Sequence, residues 1–278
     1  MMETFVTCPT LYKKGNISQH TKNVSKTCVL LDFYKSFLSQ RYSGRVLVGV
    51  PRRGIARTKR TFVCSLRTVL LPVANGTEEI EAVTIADTLV RAGAQVTVAS
   101  VEDELQITAS RGVKIVADKF ISDCSSEQYD LIAIPGGAKG AEKLGGCREL
   151  ISLLRQQQRS GKLIGAICAA PALVLAENGF LEDNIRATCY PADQFLSKLK
   201  NPVDDEDSPV VVDGQFITSQ GPGTALHFSL TLVERLYGRQ KAEELAALML
   251  LTPEDVLFGS VENNNNLKAV DVQEEAAF

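Results

Sequence analysis

The sequence predicts an α/β fold, with a mostly parallel sheet covered on both faces by helices. Short apolar runs with little polar alternation recur along the chain, each bounded by Gly, Pro or Asn. Strands buried on both faces read this way. Stretches of helical spacing separate those runs, as in βαβ units. The alternation runs from Arg67 to about Leu251, long enough to bury a core without disulfides or metals.

Thr68-Val-Leu-Leu-Pro-Val-Ala74 is the first strand, and Asn75-Gly76 a turn. Residues 77–93 read as a helix with Thr77 as N-cap. Glu78 and Glu79 are surface carboxylates at its positive end, and Gly93 stops it. Gln95–Ser100 completes a βαβ unit. Asp130–Pro135 is a strand ending in Gly136-Gly137, followed by one helix through Leu154. Leu163–Ile167 is a third core strand, with a short helix over Ala169–Asn178. Arg186–Tyr190 and Val210–Thr218 supply further strands, the latter a hairpin around Asp213-Gly214, and helices follow over Thr224–Tyr237 and Gln240–Leu250.

Residues 1–66 are different text. They are rich in Ser, Thr, Lys and Arg, and their acidic residues are Glu3 and Asp32. A basic, acid-poor, hydroxyl-rich N-terminus reads as a transit peptide removed near Val63-Cys64-Ser65. Chloroplast import is the expectation, with mitochondrion or cytoplasm as alternatives. Residues 67–252 form the domain. Residues 253–278, with Asn263–Asn266, lack the apolar pattern of a domain and read as a disordered tail. The net charge of −3 gives no reason to expect nucleic acid, and no apolar run reaches membrane-span length. The seven cysteines are odd in number, irregularly spaced and without a CxxC pair, and only two histidines accompany them. No usual zinc pattern can be assembled from that set, and free thiols in a reducing compartment are the simplest reading.

Ligand crevices of parallel sheets lie at the carboxyl ends of strands. Those ends hold Asn75-Gly76, Glu81, Gly136-Gly137, Cys168-Ala169, Tyr190 and Gly221-Pro222. Cys168 ends an apolar strand and opens a short helix, the geometry of a nucleophile elbow. A thiolate there is expected to be stabilised by the helix end. Amides of Gly136, Gly137 and Ala169 are the candidate oxyanion donors. A buried structural cysteine is the competing reading, weakened by the elbow. Glu81 lies one turn into the first helix and can face the thiol. Two adjacent anions are costly, so the pair is expected to titrate as one unit.

Residues 67–251 resemble the ThiJ/PfpI superfamily, in the branch of the Parkinson-disease protein DJ-one and its plant homologues. Five ordered motifs carry the resemblance: Asn75-Gly-Thr-Glu-Glu-Ile-Glu-Ala82, Leu131-Ile-Ala-Ile-Pro-Gly-Gly137, Ala166-Ile-Cys-Ala-Ala-Pro171, Ala187-Thr-Cys-Tyr-Pro191 and Thr218-Ser-Gln-Gly-Pro-Gly-Thr224. It implies a flavodoxin-like three-layer sandwich and a homodimer with the first helix at the interface. It places the reactive thiol at Cys168, its partner carboxyl at Glu81, and Arg111 near the pocket mouth. The implied activity is glyoxalase or deglycase chemistry on a small 2-oxoaldehyde or glycated substrate, without nicotinamide, metal or glutathione. A non-enzymatic redox sensor or protective protein is the alternative. The chain departs from relatives in three places: Ala169 where hydrolase members carry His, Tyr190 where the animal protein has His, and Gln220 where several members carry Arg. The first departure removes a Cys–His dyad and with it the usual protease chemistry.

Overall fold

A computed structural model describes residues 66–203 and 209–251. The expected N-terminal extension, up to residue 65, and the C-terminal tail lie outside the described residues. Among the described residues, nine strands and their connections build a flavodoxin-like α/β sandwich. In chain order these are β1 (Thr68–Val73), α1 (Glu79–Ala92), β2 (Gln95–Ser100), β3 (Gln106–Thr108), β4 (Lys114–Val116), β5 (Lys119–Phe120) and β6 (Leu131–Ile134). Next come α2 (Ala138–Gly146), α3 (Arg148–Arg159), β7 (Leu163–Ile167), a π-type turn (Pro171–Ala176) and α4 (Asp193–Leu196). The last elements are β8 (Val210–Asp213), β9 (Phe216–Ser219), α5 (Ala225–Tyr237) and α6 (Arg239–Leu248).

The main sheet has the order β5-β2-β1-β6-β7-β9-β8. Every pairing in it is parallel except β8 with β9, which close the hairpin expected at Asp213-Gly214. Right-handed crossovers then put α1 on one face and α2 and α3 on the other. The chain runs outward from β1 to β2 and returns to the far side of β1 as β6. The switch point therefore lies between the carboxyl ends of β1 and β6, where such sheets open a crevice. The strand interiors are uniformly apolar, with Val69, Leu70, Leu131, Ile134, Ile164 and Ile167 fully buried. Gly165 lets the sheet meet α5, because a Cβ there would come within 3.0 Å of both Phe228 and Leu232.

Several expectations change. Thr77 does not cap α1: its hydroxyl accepts from the Ala74 N–H at 2.9 Å and closes the turn after β1. Gly93 does end the helix, at φ 101°. The single helix expected after Gly137 is two, broken at Cys147, whose extended φ/ψ of −79°/110° interrupts the helical run. Arg186–Tyr190 is not a strand. It makes one isolated bridge, Ala187 with Pro202, and side chains accept two of its amides, Asp213 that of Arg186 (2.9 Å) and Thr218 that of Thr188 (2.9 Å). Residues 101–129 carry the β3–β4 hairpin and β5, strands of two or three residues, too short to leave a periodic signature.

Candidate active site

Cys168 follows β7 and sits at φ 64°, one of two non-glycine residues with positive φ among the described residues. That left-handed conformation is unfavourable for a side chain bearing Cβ and persists only where its surroundings fix it. Both its backbone groups are tied. Its N–H donates to the Ser219 carbonyl at 2.9 Å, and its carbonyl accepts the Tyr190 N–H at 2.8 Å. The corner turns the thiol toward the loop after β6. Gly136 is what lets that loop approach: a Cβ there would fall 2.6 Å from the Cys168 Cβ and 2.8 Å from the Ile167 carbonyl oxygen. Gly137 is constrained twice over, by φ 83° and by the Gly76 carbonyl 2.2 Å from where its Cβ would be.

Glu81 comes from the first turn of α1 and is fully buried. Its Oε2 accepts the Gly136 N–H at 2.7 Å. The other oxygen, Oε1, is buried without a full hydrogen bond, and the side chain lying alongside the carboxyl is Cys168. Burial raises the Glu81 pKa to about 7, against the pull of the Gly136 amide. The thiol is pushed up to about 12, first by burial and then by the neighbouring Glu81 charge, while the amides of Gly137 and Ala169 draw it down. This reverses the expected depression of the thiol. A carboxylate alongside and a water-poor corner outweigh the amide donors, and the segment that follows is a six-residue π-type turn rather than an α-helix. The two groups share a low-dielectric pocket in which both cannot be charged at once.

Gly136 is not an oxyanion donor, because Glu81 occupies its N–H. The amides that reach the sulfur are those of Gly137 and Ala169. Tyr190 is tied to the corner through its backbone. The residue is 45% exposed, and its ring crosses Phe195 edge-on at 6.3 Å and leans over Gly221, whose Cβ would stand 3.5 Å away. Gly221 donates its N–H to Thr224 Oγ1 at 3.1 Å, and Pro222 opens the short turn leading into α5. Arg111 is not against the thiol. It lines a cavity with Asn75, Gly76, Ser110, Lys139 and Lys143, a set that does not include Cys168.

Glu78 and Glu79 are not surface carboxylates; both are buried. They converge on the Ser110 hydroxyl, at 2.5 and 2.8 Å, and Glu79 also accepts the Arg111 N–H at 2.9 Å. Burial opposes the charge of Glu79, but these hydrogen bonds prevail and hold it below the usual carboxylate range. The clamp joins residues more than thirty positions apart in the chain. No local signal announces it.

Residues 67–235 match the DJ-1/PfpI family. The chain is 42% identical over 222 residues to an Arabidopsis thaliana protein named DJ-1 homolog B, covering 80% of this chain and 50% of that one. It thus spans half the length of that plant relative. A Caenorhabditis elegans protein named glutathione-independent glyoxalase DJR-1.2 is 40% identical over 179 residues, 64% of this chain and 91% of the relative. Among solved structures, the oxidized DJ-1 of Toxoplasma gondii superposes with a TM-score of 0.64 at 45% identity, covering 67% of this chain and 99% of the other. With the strained thiol corner, its carboxyl neighbour and these likenesses together, the chain belongs to the DJ-1/PfpI family.

Proposed function

We propose that the domain is a cofactor-independent glyoxalase that converts a small 2-oxoaldehyde into its 2-hydroxy acid. One observation carries the reading: a fully buried carboxyl, with a pKa near neutrality, lies alongside a thiol held at a strained strand end. A group titrating near 7 both gives and takes protons at working pH.

The steps follow from that pair. The sulfur adds to the aldehyde carbon as its proton leaves through Glu81. The carbonyl electrons move onto the oxygen, which the Gly137 and Ala169 amides receive, and which then takes a proton from Glu81. As a carboxylate, Glu81 removes the C–H proton of the hemithioacetal and returns it to the adjacent carbon, while the hydroxyl proton on the first carbon passes to the former ketone oxygen. That carbon becomes the hydroxyl-bearing one, and the first becomes a thioester. Water cleaves the thioester, releasing the hydroxy acid and restoring the thiol. The net reaction adds one water and needs no external oxidant or reductant. The name of the nematode relative supports this class of chemistry. Lactate formation from methylglyoxal tests it, with turnover expected in the wild type and lost in Cys168→Ala. Comparable turnover by that variant would sink the mechanism.

A second reading has its own support: the amides that would receive an oxyanion also surround the sulfur itself. Two peroxide molecules, each transferring one oxygen and leaving as water, would carry the thiolate to a sulfinate in that nest. This redox reading requires Cys168 to gain mass before Cys124, Cys147 and Cys189 under mild peroxide.

The assembly we propose is a homodimer through α1. Ile80, Val83 and Val90 expose apolar side chains on this helix, each more than half accessible, as an uncovered interface would. Sedimentation of wild type and of Ile80→Lys/Val83→Lys checks it, with a shift from dimer to monomer expected. Chloroplast import directed by residues 1–66 is tested by fusing them to a fluorescent protein.

A further inference from the structure

A second cavity, of about 540 Å³, is lined by Asn75, Gly76, Ser110, Arg111, Lys139 and Lys143 among others. It shares two stretches of chain with the thiol corner, the turn after β1 and the loop after β6, but its lining does not include Cys168. Gly137 aims its amide at Cys168, and the very next residue already lines this cavity. The volume lies within the range of small-ligand sites and exceeds what one inorganic anion fills.

Its wall is rich in donors: Asn75, Arg111, Lys139 and Lys143 carry side-chain N–H groups, while the Ser110 proton is already given to Glu78 and Glu79. Asn75 Oδ1 is committed to the Thr108 N–H at 2.7 Å, which leaves the side-chain NH₂ to offer. The Ser110 hydroxyl is engaged by Glu78 and Glu79, whose carboxylates are turned to the loop backbone and do not line the cavity. Lys143 pairs with Glu102 at 2.7 Å, and Glu102 also accepts the Asn75 N–H at 2.8 Å. Arg111 and Lys139 have no ion-pair partner among the described residues. Three cations thus come from two separate elements, the 109–113 loop and α2. One carboxylate, that of Glu102, meets them.

We propose that this cavity binds a small phosphorylated metabolite, with its phosphate held between Arg111, Lys139 and Lys143. A tetrahedral anion offers several oxygens to donors arriving from different sides, which a carboxylate cannot do equally well, and guanidinium forks suit it. The remaining volume takes a short carbon body. Arg111 is presented by the Glu79 clamp, so the site is prepared by the fold rather than by a mobile side chain alone.

Calorimetric titration of the full chain with glycerol 3-phosphate, inorganic phosphate and acetate, at constant ionic strength, tests the site. Saturable binding of glycerol 3-phosphate in the millimolar range or tighter is expected. Binding at least about tenfold weaker is expected for Lys139→Gln and for Arg111→Gln, each with an unaltered circular dichroism spectrum. Arg159→Gln, at the far end of α3, should bind like wild type. Tighter binding of glycerol 3-phosphate than of inorganic phosphate identifies a metabolite, and equal binding reduces the claim to free phosphate and overturns it. Acetate binding as tightly, absence of saturation, or equal affinity in all the variants overturns it too. Binding is measured in Cys168→Ala as well, where the expected affinity is unchanged, so the glyoxalase reading and this one fail independently.

Discussion

Glu81 and Cys168 meet across the switch point of the sheet, one on the first turn of α1 and the other at the end of β7, and both protons are held more tightly there than in water. Burial comes first for each, bringing the carboxyl to about 7 and the thiol to about 12, and the carboxylate charge adds to the latter. With the carboxyl protonated that repulsion vanishes, and its O–H can donate to the sulfur. The proton that Glu81 keeps near neutrality is therefore what permits a thiolate at Cys168.

Glu81→Gln separates the two roles. Removing the negative neighbour lowers the proton affinity of the thiol, so iodoacetamide should modify Cys168 roughly tenfold faster at pH 8 than in the wild type. The same substitution removes the group that moves protons, and turnover of methylglyoxal should fall by about a hundredfold or more. Mass spectrometry of the alkylated peptide and a lactate assay read the two effects. Slower alkylation would show that the carboxyl's hydrogen bond outweighs its charge.

Stability carries a matching sign. The folded protein holds the Glu81 proton up to about 7, whereas the ordinary value of 4.5 applies once the chain unfolds. Between those values the native state binds more protons, so this group's contribution is complete below 4.5 and is lost as pH rises through 7. The loss is at most about 3 kcal/mol. Glu79, Glu102 and Glu127 shift the other way, and their contributions fade as pH falls below the ordinary carboxylate range. The urea midpoint should therefore fall between pH 5 and pH 7.5 in the wild type, and fall less in Glu81→Gln.

What was legible in the sequence follows its physics. The strands at 68–73, 131–134 and 163–167 are buried on both faces, so their apolar runs are unbroken, and Cys168 stands out at the end of one. The direction of its pKa shift was not legible, because it depends on a carboxyl 87 positions away whose burial only the fold creates. In the sequence Gly136 and Gly137 are equal candidates for oxyanion donor, because adjacent glycines look alike in a string, and only the 2.7 Å bond to Glu81 tells them apart. Glu78 and Glu79 looked like helix-end surface charge, which is what acidic residues at an N-terminus usually are.

Gly136→Ala should be more damaging than its size suggests. The added methyl would stand 2.6 Å from the Cys168 Cβ, 2.8 Å from the Ile167 carbonyl oxygen and 3.0 Å from the Ala169 nitrogen, the last two being backbone atoms that cannot rotate away. The loop must shift, and with it the Gly137 amide and the partner of Glu81. A loss of about 1–3 kcal/mol in stability and a fall in turnover of roughly a hundredfold are expected, by urea unfolding and the lactate assay. Gly146→Ala, with open space around its Cβ and no positive φ, serves as the comparison and should leave turnover unchanged.

Glu79→Ala tests whether the buried acidic pair is a clamp. Glu79 accepts from Ser110 Oγ at 2.8 Å and takes the Arg111 N–H on both oxygens, at 2.9 and 3.1 Å. Glu78 keeps its own 2.5 Å contact to the same hydroxyl, so truncating Glu79 halves the grip on the loop without abolishing it. The Arg111 N–H then loses its acceptor and, on an exposed residue, turns to water. Amide exchange should accelerate in peptides covering 109–113, while the peptide carrying Cys168 keeps its protection. The Cys168 amide bonds to Ser219 rather than to this loop. Faster exchange at both places would mean that the acidic pair supports the whole carboxyl-end crevice, and unchanged exchange at both would mean that Glu78 alone suffices.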